Sequence, residues 1–278
     1  MYIKFFNEIS KQDIEEVGGK GASLGEMIHE GIPIPSGFVI ISKAHQKFLN
    51  AQLPTDITEE ILKAFDLLEV DRVAVRSSAI AEDSSQASWA GQLDTYLNVS
   101  KEDLIEKIKE CWHSIKSERA LEYAAGKDLS EDQLFVAVVV QKMVESESSG
   151  VMFTVNPITK DNNEIMLEAG YGLGEMLVQG LITPDNFLID KNTLEIKERN
   201  IDIQEKMMVF KDGENREVAV AEDKKDKQAI SDEMIKELAK MAIKIENHYG
   251  VPQDIEWAID ENSKIWILQS RPITTLSV

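Results

Sequence analysis

Asp254-Ile-Glu256-Trp-Ala-Ile-Asp-Glu-Asn-Ser-Lys-Ile-Trp-Ile-Leu-Gln269-Ser-Arg271 reads as two strands joined by the turn Asp260–Ser263. Pairing Ile259 with Lys264 sets Glu256 against Ile267 and Asp254 against Gln269. Side chains alternate along a strand, so Asp254, Glu256, Ile267, Gln269 and Arg271 gather on one face. Ile255, Trp257, Trp266 and Leu268 fall on the other, as core. Carboxylate and amide oxygens beside a guanidinium offer hard metal ligands and a phosphate clamp, the donor set of a magnesium–phosphate complex. The same pattern also suits a solvent-facing hairpin with a cross-strand ion pair.

Working back from this hairpin, helix and strand signals alternate. Met234, Ile235, Leu238, Met241, Ala242 and Ile245 make an apolar helix stripe, opened by Ser231 and ended by Gly250. Short strands are predicted from about Phe187 to Val220, and longer ones at Leu134–Gln141, Gly150–Thr154 and Glu164–Glu168. Ser100 and Asp103 form a capping-box pattern before a helix carrying Leu104, Ile105, Ile108, Cys111, Trp112 and Ile115. Leu93–Val99 and Arg72–Ser78 read as strands; in the latter Val73 and Val75 share a face, with Ala74 and Arg76 opposite. Residues 79–92, rich in Ser, Ala and Gly, read as a mobile loop. Helices are predicted at Gly18–Glu30, Ser42–Leu49 and Ile57–Leu68, with a strand at Gly37–Ile41. The mixture of helices and antiparallel hairpins predicts an α+β fold of two or three closely joined subdomains, without repeats or a long linker. Approximate lobes are 1–92 and 93–278.

Three further segments could carry chemistry. In Val17-Gly-Gly-Lys20-Gly-Ala-Ser-Leu-Gly-Glu-Met27, glycines at a helix start expose backbone N–H groups, and Lys20 could hold a phosphate. This is not a P-loop, because Gly21 follows the lysine and Ile14 stands where the upstream glycine belongs. A Gly-rich turn with a surface lysine is the alternative. Arg76 is one of six arginines. It ends an apolar strand before Ser77, Ser78 and a small-residue loop, which suits oxyanion recognition; an ordinary ion pair suits it equally. Val138-Val-Val-Gln141-Lys-Met143-Val-Glu145 is a core strand that passes into a segment able to border a flat base. Gly170-Tyr-Gly-Leu-Gly174 fails the dinucleotide fingerprint, since Glu175 occupies the third glycine position. His29, His45, His113 and His248 lack metal-ligand spacing and read as structural or surface residues.

The composition bounds these readings. The chain has 278 residues, 30 Lys+Arg against 50 Asp+Glu, and a net charge of −20. The sequence pI is about 4.6. Hydrophobic content of 43% and charged content of 29% are those of a globular chain. The acid excess is spread along the sequence and argues against nucleic-acid and anionic-membrane partners. A lone cysteine, Cys111, allows no internal disulfide, and no secretory signal or membrane span is read. A reducing, cytoplasmic setting is expected.

Taken together, Gly-Gly-Lys20-Gly-Ala-Ser-Leu-Gly-Glu-Met, Val-Arg76-Ser-Ser-Ala-Ile-Ala-Glu-Asp and Ala-Gly91-Gln-Leu-Asp-Thr-Tyr-Leu-Asn-Val resemble a known domain. Ser149-Gly-Val-Met-Phe-Thr-Val-Asn-Pro157, Gly172-Leu-Gly-Glu-Met-Leu-Val-Gln-Gly180 and Gln269-Ser-Arg-Pro-Ile-Thr274 fit the same pattern. It is the nucleotide-binding domain of the phosphoenolpyruvate synthase (pyruvate, water dikinase) and pyruvate, phosphate dikinase family, shared with rifampin phosphotransferase. The resemblance implies an ATP-grasp-like fold holding ATP and Mg2+ between two lobes. Lys20 and Arg76 would hold phosphates, and the 84–92 loop, with Ser88, Gly91 and Gln92, would close over them. Gln141 and Met143 would border the adenine, largely through backbone groups. Glu256 and Gln269 would bind magnesium, Arg271 would clamp phosphate, and Asp254 would support that face. The family passes phosphate to a histidine on a separate swivelling domain. No such motif is read here, nor the pyruvate barrel, so the histidine would come from another chain or a longer parent protein. The acceptor could be pyruvate, as in the synthase, or an antibiotic; a nucleotide-binding sensor without turnover is the other alternative. The stretch between about Leu53 and Arg72 is short for the family.

Overall fold

The computed structural model describes residues 1–48, 53–79, 83–84, 87–88, 94–115 and 135–273; of 83–84 and 87–88 only the backbone is described. The chain forms two compact units. The first comprises Met1–Gly31 and Pro35–Met143, the second Ile32–Ile34 and Val144–Val278.

The first unit is built on a five-stranded antiparallel sheet, in the order β1 (Ile3–Phe5), β2 (Gly37–Ile40), β7 (Val136–Lys142), β3 (Val73–Ala79) and β6 (Thr95–Val99). The apolar run predicted as a buried strand is β7, at the centre. It pairs with β2 on one side and β3 on the other. That pairing moves the division of the chain from 92/93 to Met143, because β6, β7 and the intervening helix complete the first sheet rather than start a second. Gln141 and Met143 accordingly belong with Lys20 and Arg76.

One sheet face carries Val73, Val75, Val136, Val138 and Val140. It shares a core with Ile57, Ile61, Ala64 and Phe65 of α3 (Thr55–Leu67) and Leu104, Ile108, Cys111 and Trp112 of α4 (Leu104–Ser114). Of the expected capping box one half is seen: Asp103 N donates to Ser100 Oγ at 3.4 Å, Ser100 Oγ donates to Asp103 Oδ2 at 2.9 Å, and the helix itself begins after Asp103. Helix α2 spans Ser42–Phe48 and contributes Ala44 to this core. The opposite face carries α1 (Ile14–His29), whose path breaks at Gly18 (φ 72, ψ 171). The sequence reading started this helix at Gly18; one extra turn precedes the break. Within the predicted loop, β4 (Asp83–Ser84) and β5 (Ala87–Ser88) pair as a short antiparallel hairpin.

The second unit carries a six-stranded antiparallel sheet. Its order is β11 (Ile196–Asn200), β10 (Asp185–Asp190), β9 (Glu164–Tyr171), β8 (Ser146–Phe153), β14 (Gln253–Asp260) and β15 (Ile265–Pro272). Strands β12 (Lys206–Lys211) and β13 (Glu214–Ala219) form a separate hairpin. A single-turn helix, α5 (Glu175–Val178), follows the Gly-rich turn. Helix α6 (Asp232–Tyr249) packs against β14 through a stripe that includes Ile235, Leu238, Ala242 and Ile245. Ser231 caps it by accepting from Met234 N, and Gly250 ends it, as read from sequence. The outer edge of β15 is covered in part by the Ile32–Ile34 segment, where Ile267 N donates to Pro33 O at 2.9 Å. The α+β expectation holds. Among the described residues no helix is long and apolar enough to cross a membrane.

Candidate nucleotide-binding site

Each unit carries one group of the expected site residues. In the first, Ser78 Oγ on β3 donates to Val17 O at 2.9 Å and accepts from Gly21 N at 3.2 Å, which fixes the Gly-rich segment to the strand. Lys20 then lies along β3, and its Nζ donates to Ser77 O at 2.9 Å. Arg76 sits one residue earlier, opposite Val139 of β7, while Ala74 lies opposite Gln141. Directly opposed residues share a face, so Arg76 and Gln141 lie on the α1 side of the sheet. Lys20 is 5% exposed and Arg76 8%. Cations so deeply enclosed are rare, and two of them around one glycine-rich helix start make a setting suited to an oligoanion.

Two backbone donors at the expected base-bordering segment have partners within the first unit: Lys142 N donates to Ser36 O at 2.8 Å and Met143 N to Arg72 O at 3.2 Å. The Gln141 side chain is 2% exposed, and its Nε2 has no hydrogen-bond partner among the described residues. Of Ser88 only the backbone is described, paired with Asp83. Gly91 and Gln92 lie outside the described residues.

In the second unit the hairpin register differs from the sequence expectation. Ile259 pairs with Ile265 and Trp257 with Ile267; then a bulge intervenes, and Glu256 pairs with Gln269 and Asp254 with Arg271. The extra residue, Leu268, reverses the alternation. Ile267 therefore joins Ile255 and Trp257 in the core, whereas Trp266 and Leu268, expected there, are only partly covered. The four polar residues still share one face, now as directly opposed pairs. Arg271 Nε and Nη2 both donate to Asp254 Oδ2, at 2.9 and 2.6 Å.

A buried network holds the strand ends. Ser270 Oγ donates to Gln253 Oε1, and Gln253 N donates to Thr154 Oγ1, each at 2.8 Å. Thr154 is the threonine of the Phe-Thr-Val-Asn-Pro segment, and that role is structural. In the same segment Asn156 Oδ1 accepts from Ile158 N and Thr159 N and shapes a turn.

Sequence reading missed Glu168. Val151 of β8 lies opposite both Glu256 and Glu168, so Glu168, Val151, Glu256 and Gln269 form one row across four strands. A period-two count along β9 puts Glu168 off the core parity of Ile165 and Leu167; only strand order brings it to this face. Burial raises the Glu168 pKa, and the Asp254 charge raises it further. Asp254 is also raised, by burial above all, with Arg271 opposing and Glu256 reinforcing the shift. Asp254→Asn is therefore expected to lower the Glu168 pKa toward its ordinary range. Carboxyl NMR titration checks this, and an unmoved Glu168 curve would show that the two charges do not communicate.

The other reactive side chains are structural. His45 is buried, accepts from Val136 N through Nδ1 at 3.1 Å and stacks on Trp112. Cys111 is buried, and burial pushes its thiol up to about 12, away from the reactive thiolate form.

The glycine-anchored cations of the first unit and the carboxylate–amide–guanidinium face of the second are thus each assembled within their own unit. Residues 14–52 and 42–278 match the family described as the pyruvate phosphate dikinase AMP/ATP-binding domain. The chain belongs to that family. The two matched segments overlap at residues 42–52. The chain is 39% identical over 358 residues to the phosphoenolpyruvate synthase of Pyrococcus furiosus, covering 99% of this chain and 44% of that protein. It is 40% identical over 321 residues to a probable phosphoenolpyruvate synthase of Archaeoglobus fulgidus, covering 99% and 42%. It thus spans less than half the length of these relatives. Among solved structures it is similar to the D-alanine-D-alanine ligase of Coxiella burnetii, at 10% identity and a TM-score of 0.44, covering 94% of this chain and 49% of that one.

Proposed function

We propose that this chain performs the nucleotide half of a dikinase reaction with ATP and magnesium. Lys20 and Arg76 hold the phosphates, and Arg271 clamps them. A histidine on a separate domain attacks the β-phosphorus. The bond from the β-phosphorus to the oxygen bridging it to the α-phosphorus breaks, and the nucleotide leaves as AMP. Chain cations favour this step by meeting negative charge as it develops on the phosphoryl and leaving oxygens. The observation that carries the reading is the cross-strand pairing of Glu256 with Gln269 beside Asp254 with Arg271.

That face fits magnesium. Among the described residues no group of three His, Cys, Asp or Glu could hold a metal. Magnesium is typically held by one or two carboxylates, with phosphate oxygens and waters completing its shell. Glu256 and the Gln269 amide oxygen offer such a partial set, and bound magnesium would supply charge neutralisation on the phosphates. A longer parent protein or a partner chain supplies the histidine, and pyruvate is the proposed final acceptor. A cytoplasmic setting belongs to the same reading, supported by the buried thiol of Cys111.

The test is AMP formation from ATP and magnesium, with and without an added phosphohistidine domain from a phosphoenolpyruvate synthase. AMP is expected only with that domain. Tight ATP binding without AMP under either condition would point to a sensor instead. Pyruvate and rifampin, offered in turn, separate the two acceptors. Arg76→Ala is expected to weaken ATP binding, and Glu256→Ala to abolish the magnesium dependence of that binding. Unchanged binding in both variants would refute the residue assignment.

A further inference from the structure

Glu168 carries a charge that the reaction above leaves without a task. On β9 it stands between Val151 of β8 and Asn186 of β10. The Asn186 amide is turned to its own backbone and donates to Pro184 O at 3.1 Å. Glu168 is half-buried, yet it makes no hydrogen bond or ion pair among the described residues. Opposed residues share a face, so Glu168 lies on the face of Glu256 and Gln269, with Val151 between. Asp254, two residues before Glu256 on β14, belongs to that face as well. Three carboxylates thus stand there against the Arg271 guanidinium. A phosphate chain without a cation meets net repulsion at such a face, and partial burial weakens the screening.

Glu168 is not a third direct metal ligand, since among the described residues no group of three His, Cys, Asp or Glu could hold an ion. Its distance from Glu256 instead suits contact through water. Neighbouring strands lie about 4.8 Å apart, and Glu168 and Glu256 are separated by two such steps. Magnesium dehydrates reluctantly and keeps several waters at about 2.1 Å. Each water donates to a carboxylate over about 2.7 Å. An outer carboxylate therefore stands roughly one strand spacing from the ion. We infer that Glu168 is a positioning residue that holds the waters of a magnesium ion bound by Glu256 and Gln269, and that it makes nucleotide binding at this face depend on that ion. This rests on the nucleotide reading above, and it extends the metal face across two further strands.

The experiment titrates ATP into the 278-residue chain by calorimetry, with EDTA and at a series of magnesium concentrations. Wild type, Glu168→Gln and Glu198→Gln are compared. Glu168→Gln is expected to raise the magnesium concentration for half-maximal ATP affinity on the order of tenfold. Its affinity for ATP in EDTA should hold or rise, because one repelling charge is gone. Its ligand-free melting temperature should hold or rise too, since an amide of equal size replaces a half-buried carboxylate. Glu198→Gln removes the same charge at an exposed position on the edge strand β11 and should move none of these. A structural role for Glu168 would instead weaken ATP binding with and without magnesium and lower the melting temperature, and that result would overturn the inference. So would an unmoved magnesium midpoint, or an equal shift in Glu198→Gln. No ATP binding by the wild type at saturating magnesium would overturn the nucleotide reading itself, whereas magnesium-dependent binding indifferent to Glu168→Gln would overturn this inference alone.

Discussion

Replacing Gly18 with alanine is expected to destabilise the first unit by about 3 kcal/mol or more, and to weaken ATP binding with it. Gly18 adopts φ 72 and ψ 171, a region open essentially to glycine alone. Forcing another residue into it costs about 1–3 kcal/mol. An added Cβ would also lie 2.3 Å from both the carbonyl oxygen and Oγ of Ser78. Relief requires β3 to move, yet Ser78 is tied to Val17 and Gly21 on either side of the break. Overpacking at such a fixed contact adds about 1–3 kcal/mol. Lys20 follows two residues later, so the amine proposed to hold phosphate shifts with the backbone. Gly213→Ala separates the two costs: its φ is +88°, but nothing lies within 4 Å of the added methyl. It should lower the melting temperature by clearly less. Equal losses in the two variants would show that the contact with Ser78 contributes nothing.

What was legible in the sequence follows from which interactions are local. Helix α6 was readable to its caps because Ser231, the apolar stripe and Gly250 lie within one element. The strand β7 was readable because the apolar run Leu134 to Val140 has strand length, is rich in β-branched valine and carries no polar alternation, as a strand covered on both faces does. The division between units was not, since it depends on β7 inserting between β2 and β3, a pairing over about a hundred residues that no local period encodes. The hairpin was readable in composition and misread in register. A uniform alternation placed Ile267 with the polar face, but one bulged residue reverses the strand. Glu168 was hidden for a related reason: its partners reach it through β8 and are separated from it in sequence by the whole of α6.

Arg271→Met is expected to weaken ATP binding on the order of tenfold or more, through loss of the charge-assisted phosphate clamp proposed above. Arg271→Lys should recover only part of this, because a lysine supplies the charge without the fork. The same substitution should leave a stability defect that grows with pH. Arg271 donates twice to Asp254 Oδ2, and its charge holds down a carboxyl that burial and Glu256 push above the ordinary value of 3.8. Without Arg271 the folded-state pKa rises further, while the unfolded value is unchanged. A raised carboxyl binds more protons in the native state than in the unfolded chain, so stability falls as pH climbs through the folded pKa. Below the unfolded pKa both states are protonated, and the variant loses least. Above the folded pKa it carries the full penalty. With side chains 32% and 15% exposed, solvent screens the pair, and the penalty should be about 1–2 kcal/mol rather than the larger loss of a fully buried pair. Urea unfolding at a series of pH values, about 4 to 8, measures the gap from wild type. Adding Asp254→Asn to Arg271→Met removes the titrating group and should flatten that gap. A gap in the single variant that is already independent of pH would show that Asp254 does not depend on Arg271 for its charge.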